Sequence, residues 1–285
     1  MTKKSIIITT SAIVGLIAIL TILFGVVFRV RKIDVVYGDD FCYSAQIDDI
    51  LTASKLRKNK SIFSVERDIV ATNIEQAYPY ARVEGVNVTS FTSVKIKLSN
   101  REPLYYVVEE AVYYILDEDC KVLEITNDSA LATKYILLTD VFSVSESTKV
   151  GQFLSNKYTS VCKGLYNALY SNAVLNIGED TDNDGEADKK YLDRNDMCEI
   201  ISSIKFTQVD ELNGRVDKLV MSTSYGTSIS IIEPKKELDL KINMAFSALR
   251  VLIERGNNEQ ASGTIQVRYS YDENNVNSIK CEYIA

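Results

Sequence analysis

The stretch ARVEGVNVTSFTSVKIKL, residues 81–98, decides the fold of the N-terminal domain. From Val94 to Leu98 every second residue is apolar and the residues between them are lysines, which is the pattern of a strand with one buried and one wet face. In the earlier half the apolar phase changes across Gly85, as a β-bulge at that glycine would produce. The stretch therefore predicts two consecutive strands, the first of them bulged.

Before these strands, the sequence predicts one further strand and two helices. Residues 33–37 are rich in β-branched residues and end at Gly38, which predicts a strand. Ser44 can cap a first helix with apolar residues at helical spacing, and Ser64 can cap a second helix that Pro79 ends. The predicted order is β-α-α-β-β, a small sheet with two helices on one face.

An uncharged run of 23 residues, Ile6–Phe28, precedes this domain. As an α-helix it would reach roughly 34 Å, which is enough to cross the hydrocarbon core of a bilayer. The run is longer than the apolar region of a signal peptide and ends without a small-residue cleavage site, so we expect a retained transmembrane helix over residues 6–28. We expect residues 1–5 in the cytoplasm and the rest of the chain outside it, in a single-pass protein of the cell membrane.

Charge and composition argue against two classes of function. Acidic residues outnumber basic ones, 39 to 32, whereas a nucleic-acid partner would require a basic face. The chain has no histidine, which removes Ser-His-Asp and Cys-His catalytic groups and His-rich zinc sites. The sequence also lacks a phosphate-binding loop, a dinucleotide fingerprint and a Gly-x-Ser-x-Gly turn. We therefore expect no enzymatic activity, and a cell-wall hydrolase that uses two carboxylates is a minor alternative.

The acidic segment DTDNDGEAD, which begins at Asp180, has metal-binding character. Oxygen ligands at alternate positions (Asp180, Asp182 and Asp184), followed by a turn glycine, match the first half of a calcium loop of the EF-hand type. The twelfth position of such a loop should supply a bidentate glutamate, but it is Tyr191, and the next carboxylate is Asp193. Two interpretations stay open: a solvated acidic surface loop, or a weak structural calcium site with the three aspartates as ligands.

The five cysteines are widely spaced, their number is odd, and no Cys-x-x-Cys pair occurs. Neither a disulfide framework nor a zinc site is therefore indicated. We expect these residues to be small buried hydrophobic side chains in a non-oxidising setting. They are Cys42, Cys120, Cys162, Cys198 and Cys281.

From Leu104 onward the sequence predicts a mixed, β-rich domain with a long helix near its C-terminal end. An apolar stripe from Leu238 to Leu252, with apolar residues alternately four and three positions apart, predicts that helix. We expect the stripe to pack on the domain's own sheet rather than in a coiled coil. A hairpin is predicted to turn near Gly226. Predicted strands cover residues 105–108, 112–115, 135–138, 216–221, 227–232, 263–269 and 278–284, and a second predicted helix covers 158–169.

The order of these elements resembles the FtsQ/DivIB family of bacterial cell-division proteins, in which an anchor precedes a POTRA module and a β-domain. The resemblance has departures at turns: Cys120 stands where a glycine is usual, and residues 91–93 stand where a proline is common. Gln266 replaces an expected acidic residue, and residues 141–215 show no match. The strings that agree with the family pattern are Ile33–Gly38, Ser44, Ile62-Phe63, Pro79-Tyr80, Arg101–Leu104, Tyr114–Asp117 and Lys121–Leu123.

The resemblance implies an α+β protein with three parts after the cytoplasmic tail. These are a single N-terminal transmembrane helix, a POTRA-like β-α-α-β-β domain over residues 29–101, and a mixed β-rich domain over residues 102–285 with a long helix near its C-terminal end. An acidic-loop insertion is expected around residues 178–193.

By the same resemblance, the function is that of a non-enzymatic bitopic scaffold of the divisome. It would bind small coiled-coil division proteins of the FtsL and DivIC/FtsB type outside the cytoplasm, help to control septal peptidoglycan synthesis, and need no cofactor. In the family the partner surface lies on the C-terminal strands, where a partner strand can add to the sheet. The residues implicated in partner binding are Ile265, Val267, Arg268, Tyr269, Ile279, Cys281 and Tyr283.

The alternative function, which does not depend on the resemblance, is that of a calcium-binding extracellular adhesion or sensor module.

Overall fold

The structure, a computed structural model, describes residues 3–38, 47–172, 174–175, 190–211, 214–255, 263–271 and 277–285. These residues form an α+β architecture. The chain divides into two compact units, Met1–Arg101 and Glu102–Ala285.

The N-terminal unit contains three helices and three strands among its described residues. A π-helical turn, Leu23–Val27, follows the first helix, and a 3-10 turn, Ile62–Ser64, precedes the third. The elements are α1 (Lys3–Ile22), β1 (Lys32–Tyr37), α2 (Ile47–Ser54), α3 (Arg67–Ala77), β2 (Ala81–Ser90) and β3 (Ser93–Asn100).

The structure contradicts the predicted transmembrane helix over residues 6–28. The α-helix ends at Ile22 and the next residues, Leu23–Val27, form the π-helical turn, so the uncharged run is not one regular α-helix. Across the described ranges, no helix combines the length and the apolar character that a membrane span requires. This finding corrects both the predicted span and the predicted single-pass localisation in the cell membrane.

Strands β1, β2 and β3 form a sheet in the order β1-β3-β2, with β1 parallel and β2 antiparallel to β3. The register of β2 against β3 shifts between Val83 and Gly85, which confirms the bulge predicted at that glycine. The apolar residues at alternate positions from Val94 to Leu98 are all buried. They pack with Ile50 of α2 and Ile74 of α3 in one core, as the apolar stripes of those helices require.

Helix α3 begins later than the sequence predicted. The side chain of Ser61, not Ser64, acts as a cap, because its Oγ accepts a hydrogen bond of 3.3 Å from the Phe63 N–H and closes the 3-10 turn. The two residues after that turn are extended, so α3 begins only at Arg67.

The C-terminal unit carries the larger sheet. Its elements are β4 (Pro103–Glu109), β5 (Val112–Asp117), β6 (Val122–Thr126), α4 (Ser129–Ala132), β7 (Ile136–Thr139), α5 (Thr159–Asn172), β8 (Val174–Leu175), β9 (Lys190–Tyr191), α6 (Arg194–Ile200), β10 (Ile201–Glu211), β11 (Gly214–Thr223), β12 (Thr227–Ile232), α7 (Leu238–Arg255), β13 (Gly263–Tyr271) and β14 (Asn277–Ile284).

Nine of the described strands form one mixed sheet in the order β14-β13-β12-β11-β10-β7-β4-β5-β6. Strand β10 lies in its middle, parallel to β7 and antiparallel to β11. The predicted hairpin is confirmed: β11 and β12 pair antiparallel, and Gly226 turns between them with φ 81°. A positive φ of this kind suits glycine because it has no Cβ.

Helices α5 and α7 pack against each other, and their apolar residues join the sheet in one core. In α7, Ile242, Ala245 and Leu249 are fully buried, so the predicted stripe packs on the domain's own sheet. This confirms the expectation that the repeat is not a coiled-coil seam. The same core receives Ile265 and Val267 from β13.

Candidate partner-binding surface

Strands β13 and β14 form the outermost hairpin of the large sheet and contain every residue that the resemblance implicated in partner binding. They pair antiparallel from Thr264 opposite Ile284 to Tyr271 opposite Asn277, and β13 also pairs in parallel with β12. Alternating β-branched and aromatic residues favour this extended conformation. The register decides which residues share a face, because side chains directly opposite in antiparallel strands point the same way.

Six of the seven implicated residues share one face of this hairpin, and that face lies against α7. The cross-strand pairs are Ile265 with Tyr283, Val267 with Cys281, and Tyr269 with Ile279. Ile265 and Val267 are fully buried in the core, and Cys281 Sγ lies 3.8 Å from the Met244 carbonyl oxygen of α7. The side chains of Ile265 and Val267 therefore hold the hairpin in the fold and are closed to a partner.

The seventh residue, Arg268, faces the opposite, open side of the sheet. Its Nη2 donates to Glu282 Oε2 at 3.3 Å, and both side chains are more than a third exposed. Lys280 lies directly across from Arg268 on the same side. An exposed pair of this kind stabilises the fold by little, so these charges are available for contacts to another molecule.

Tyr283 packs its ring over Gly263 at the start of β13. A Cβ on Gly263 would lie 2.6 Å from Tyr283 Oη, closer than any real contact, and the φ of Gly263 is 150°. Only glycine fits beneath the ring in this conformation. The contact orders the end of the hairpin, although Tyr283 is still 43% exposed.

Lys241 of α7 anchors the other end of the hairpin. Its side chain is fully buried, and Nζ donates to the carbonyl oxygens of Ile232 at 2.8 Å and Glu233 at 2.9 Å. Nζ also lies 4.3 Å from the ring centroid of Tyr269, whose hydroxyl donates to Glu237 Oε2 at 2.8 Å. Burial lowers the pKa of Lys241 to about 8, while the nearby carboxylates of Glu233 and Glu237 act in the opposite direction.

Sequence reasoning missed Lys241, although its position contains a signal. Leu238 and Ile242 belong to the buried stripe of α7. Lys241 lies three residues after Leu238 and one residue before Ile242. At 3.6 residues per turn this spacing places Lys241 on the buried side. A lysine on such a stripe needs hydrogen-bond acceptors, here the ends of β12 and the loop after it.

The free backbone edge of β14 is the feature of this surface that can accept a partner. Among the strands that the structure describes, β14 is paired on one side only, with β13. It contains no proline, and Ile284 at its end is 50% exposed. An edge of this length presents a row of N–H and C=O groups that another extended chain can pair with.

The predicted metal ligands Asp180, Asp182 and Asp184 lie outside the described residues. Within the described ranges, no group of three or more histidine, cysteine, aspartate or glutamate side chains is placed to hold a metal ion. Asp193, the late candidate for the last ligand position, caps α6 instead, because its Oδ1 accepts a hydrogen bond of 2.9 Å from the Asp196 N–H. The sequence hypothesis about calcium thus stays a prediction.

A concave surface in this unit is lined by Glu102, Tyr135, Tyr166, Tyr170, Asp193 and Arg194, among others. The guanidinium group of Arg194 lies 4.9 Å from the Tyr166 ring centroid and pairs with Glu102 Oε2 at 2.7 Å. These contacts link α6 to α5 and to the residue before β4. They pair the charge of Arg194 with a carboxylate of the same unit.

No protein-family model and no curated protein sequence matches this chain.

Proposed function

We propose that this protein is a non-enzymatic scaffold that binds another protein chain by strand addition at β14. The observation that carries the proposal is the position of β14 at the end of the large sheet, paired on one side only within the described part of the chain. The inner face of the hairpin is buried against α7, so the fold supplies a rigid edge. Main-chain hydrogen bonds to an added strand would provide affinity.

We further propose that the partners are small coiled-coil division proteins of the FtsL and DivIC/FtsB type, and that binding them helps to control septal peptidoglycan synthesis. Two features support this part of the proposal. After α1, the N-terminal unit has the order β-α-α-β-β, and the larger unit ends in a helix followed by an edge hairpin. Both features agree with the pattern of the FtsQ/DivIB family that the sequence resembles.

The side chains of β14 indicate which kind of partner strand would fit its edge. Ile284 and Tyr283 offer apolar area at the end of the strand, whereas Lys280 and Glu282 are exposed charges on the open face. A matching strand would place an apolar residue against Ile284 and residues of opposite charge against Lys280 and Glu282. Charge complementarity of this kind selects the register of the added strand.

The proposal is tested with Ile284→Lys, which puts a charge at the edge without touching the core. Purified segments of FtsL-type and DivIC/FtsB-type proteins serve as probes, and calorimetry measures their affinity for the full chain. We expect roughly tenfold weaker binding, because a lysine on an edge opposes strand pairing. Leu240→Lys is the matched control, since Leu240 is 51% exposed on α7.

A deletion of residues 276–285 should abolish binding altogether. Circular dichroism of this variant shows whether the remaining fold is retained, since the deletion also uncovers one side of β13. Unchanged affinity in both the deletion and Ile284→Lys would refute strand addition at β14. A fluorescent fusion that shows no mid-cell band in dividing cells would refute the role in division and leave strand addition to be judged by calorimetry.

A further inference from the structure

Strand β14 is a regular edge strand that contains few of the features that usually protect an edge. Its register against β13 is continuous along the whole strand, without a bulge. It contains no proline, and among the described strands it is paired on one side only. Proteins commonly protect an edge with a proline, a bulge, a charge or a covering element, because an open edge pairs with other extended chains. In β14 this leaves only two charged side chains, Lys280 and Glu282.

These two charges have opposite signs and lie two positions apart, on the open face of the sheet. Both side chains are exposed. Glu282 Oε2 accepts from Arg268 Nη2 at 3.3 Å, although the two side chains stay 45% and 41% exposed. Lys280 lies directly across from Arg268, so its neighbour on β13 is a like charge. Because like charges directly opposite each other repel, a carboxylate from another molecule beside Lys280 would be favourable.

The other face of β14, towards α7, carries apolar side chains that are partly exposed. Ile279 and Cys281 are half-buried, and Tyr283 is 43% exposed. They alternate along the strand with the exposed charges. A strand that adds to this edge therefore meets apolar positions on one face and charged positions on the other. A second copy of β14 has the same alternation.

Symmetry restricts how β14 can pair antiparallel with β14 of a second copy. Side chains directly opposite in antiparallel strands point to the same face, so the two-fold axis passes at a residue and not between two neighbouring residues. An axis at Lys280 or at Glu282 would place like charges directly opposite each other. An axis at Cys281 places each Lys280 opposite Glu282 of the other copy. Only this register makes the charges of the strand complementary to themselves.

We propose that the chain forms a two-fold dimer in which β14 pairs antiparallel with β14 of a second copy, with the axis at Cys281. In this register Ile279 lies opposite Tyr283 of the other copy, so that two apolar pairs flank the axis on the inner face. Two pairs of Lys280 with Glu282 lie on the open face. Main-chain hydrogen bonds along residues 278–284 join the two sheets into one. The same patch on both copies is used, as in other two-fold dimers.

The dimer uses the edge to which we assigned the addition of a partner strand. A second copy and a partner strand therefore exclude each other, and the dimer is the form of the chain without a partner. The dimer depends on the β13–β14 register and on the charges of β14. It does not depend on the identity of any partner.

Sedimentation velocity of the full chain measures the dimer, with a reductant present so that no disulfide contributes. The natural chain should show a monomer–dimer equilibrium that shifts towards the dimer as the concentration rises. Lys280→Glu and Glu282→Lys each create two repulsive pairs per dimer, so each should raise the dissociation constant roughly tenfold or more. Lys235→Glu is the matched control and should leave the constant unchanged. It makes the same charge change as Lys280→Glu, at an exposed lysine outside the hairpin.

The two charge reversals in combination identify the register. A chain with both Lys280→Glu and Glu282→Lys restores both pairs with their signs exchanged, so it should dimerise about as well as the natural chain. A mixture of the two single variants should form a mixed dimer, because each carboxylate of the first variant then faces an ammonium group of the second. If the axis lay at Lys280 or at Glu282, neither combination would restore the dimer.

Three results would overturn the proposal. One is a natural chain that stays monomeric at every concentration. Another is a dimer that Lys235→Glu weakens as much as the reversals at Lys280 and Glu282 do, or that none of them weakens. The third is a mixture of the two single variants that forms no mixed dimer. No division protein is present in this assay, so each of these results would leave partner binding at β14 to be judged by calorimetry.

Discussion

The ammonium group of Lys241 lies 4.3 Å from the centroid of the Tyr269 ring, so that α7 is held against β13. The same group donates to the carbonyl oxygens of Ile232 and Glu233, at the end of β12 and just after it. One buried side chain thus joins a helix to two neighbouring strands. Because β13 carries β14, the position of the free sheet edge depends on this contact.

We expect Lys241→Met to lower the free energy of unfolding by roughly 2 kcal/mol, because two carbonyl groups lose their donor while the apolar stem is retained. Urea denaturation at neutral pH measures the change. Lys235→Met is the control, since Lys235 is exposed in the same loop region. Equal unfolding midpoints for the two variants would show that the buried contact contributes nothing.

The stability contributed by Lys241 should depend on pH in a defined direction. Burial holds its folded-state pKa at about 8, against 10.5 for the ordinary side chain. Between these values the unfolded chain binds more protons than the folded one, so the contribution rises as the pH rises from about 8 to about 10.5. A neutral amine keeps two N–H groups, which is the number that the two carbonyl acceptors need.

The measurement is the difference in unfolding free energy between the natural chain and Lys241→Met across this pH window. The difference removes the contributions of other groups that titrate there, such as the tyrosines. We expect it to grow by roughly 1–3 kcal/mol. A difference that falls with rising pH would mean that the folded state prefers the charged amine.

Gly263→Ala should destabilise the outer hairpin. The new Cβ would lie 2.6 Å from Tyr283 Oη, and the φ of 150° is unfavourable for alanine, so we expect a loss of roughly 2–4 kcal/mol. Gly38→Ala is the control, since its Cβ would lie at an ordinary 3.5 Å from the Leu98 carbonyl oxygen. Thermal unfolding compares the two variants, and an equal effect of both would contradict the proposed contact.

Gly164→Ala should stabilise the protein, in contrast to Gly263→Ala. Gly164 lies inside α5, and a Cβ there would lie 3.7 Å from Leu238 Cδ2, a normal packing distance. Alanine reduces the entropy of the unfolded chain and adds a contact to α7, so we expect a gain of about 0.5–1 kcal/mol. A lower melting temperature would mean that α5 and α7 are too close for a methyl group.

Glu75→Ala should weaken the N-terminal unit. Glu75 accepts two bonds of 3.2 Å from Arg101 Nη2 and one of 2.9 Å from the Val83 N–H. Both side chains are largely buried, so removing the carboxylate leaves a buried cation and should cost roughly 3 kcal/mol. Hydrogen exchange at the Val83 amide reports the loss, and Glu84→Ala at an exposed site should leave that exchange rate unchanged.

Strands, turns and helices of this protein could be predicted where a short pattern of residue types determines the local backbone conformation. The lysine alternation after Val94 identified β3, and Gly85 and Gly226 marked a bulge and a turn that the structure contains. The stripe from Leu238 to Leu252 identified α7. The prediction of a transmembrane helix over residues 6–28 was wrong. The absence of charged residues does not show where a regular α-helix ends, and in the structure it ends at Ile22.

The candidate surface could be predicted only in part. Period-two alternation places Ile265 and Val267 on one side of a strand, but it does not say which side α7 covers. The pairing of Val267 with Cys281 depends on the register of β13 and β14, which segments outside these strands help to set. The open edge of β14 is a property of the whole sheet and has no local signal.

Sequence alone determined the local periodicities, the turn glycines and the exclusion of histidine-based chemistry, because each depends on residues close together in the chain. Tertiary structure alone decided that β10 lies in the middle of the sheet, that β14 lies at its end, and that Lys241 contacts the ring of Tyr269. These relationships join residues far apart in sequence. These contacts form when the apolar surfaces of all the elements are buried together, so a short sequence pattern does not predict them.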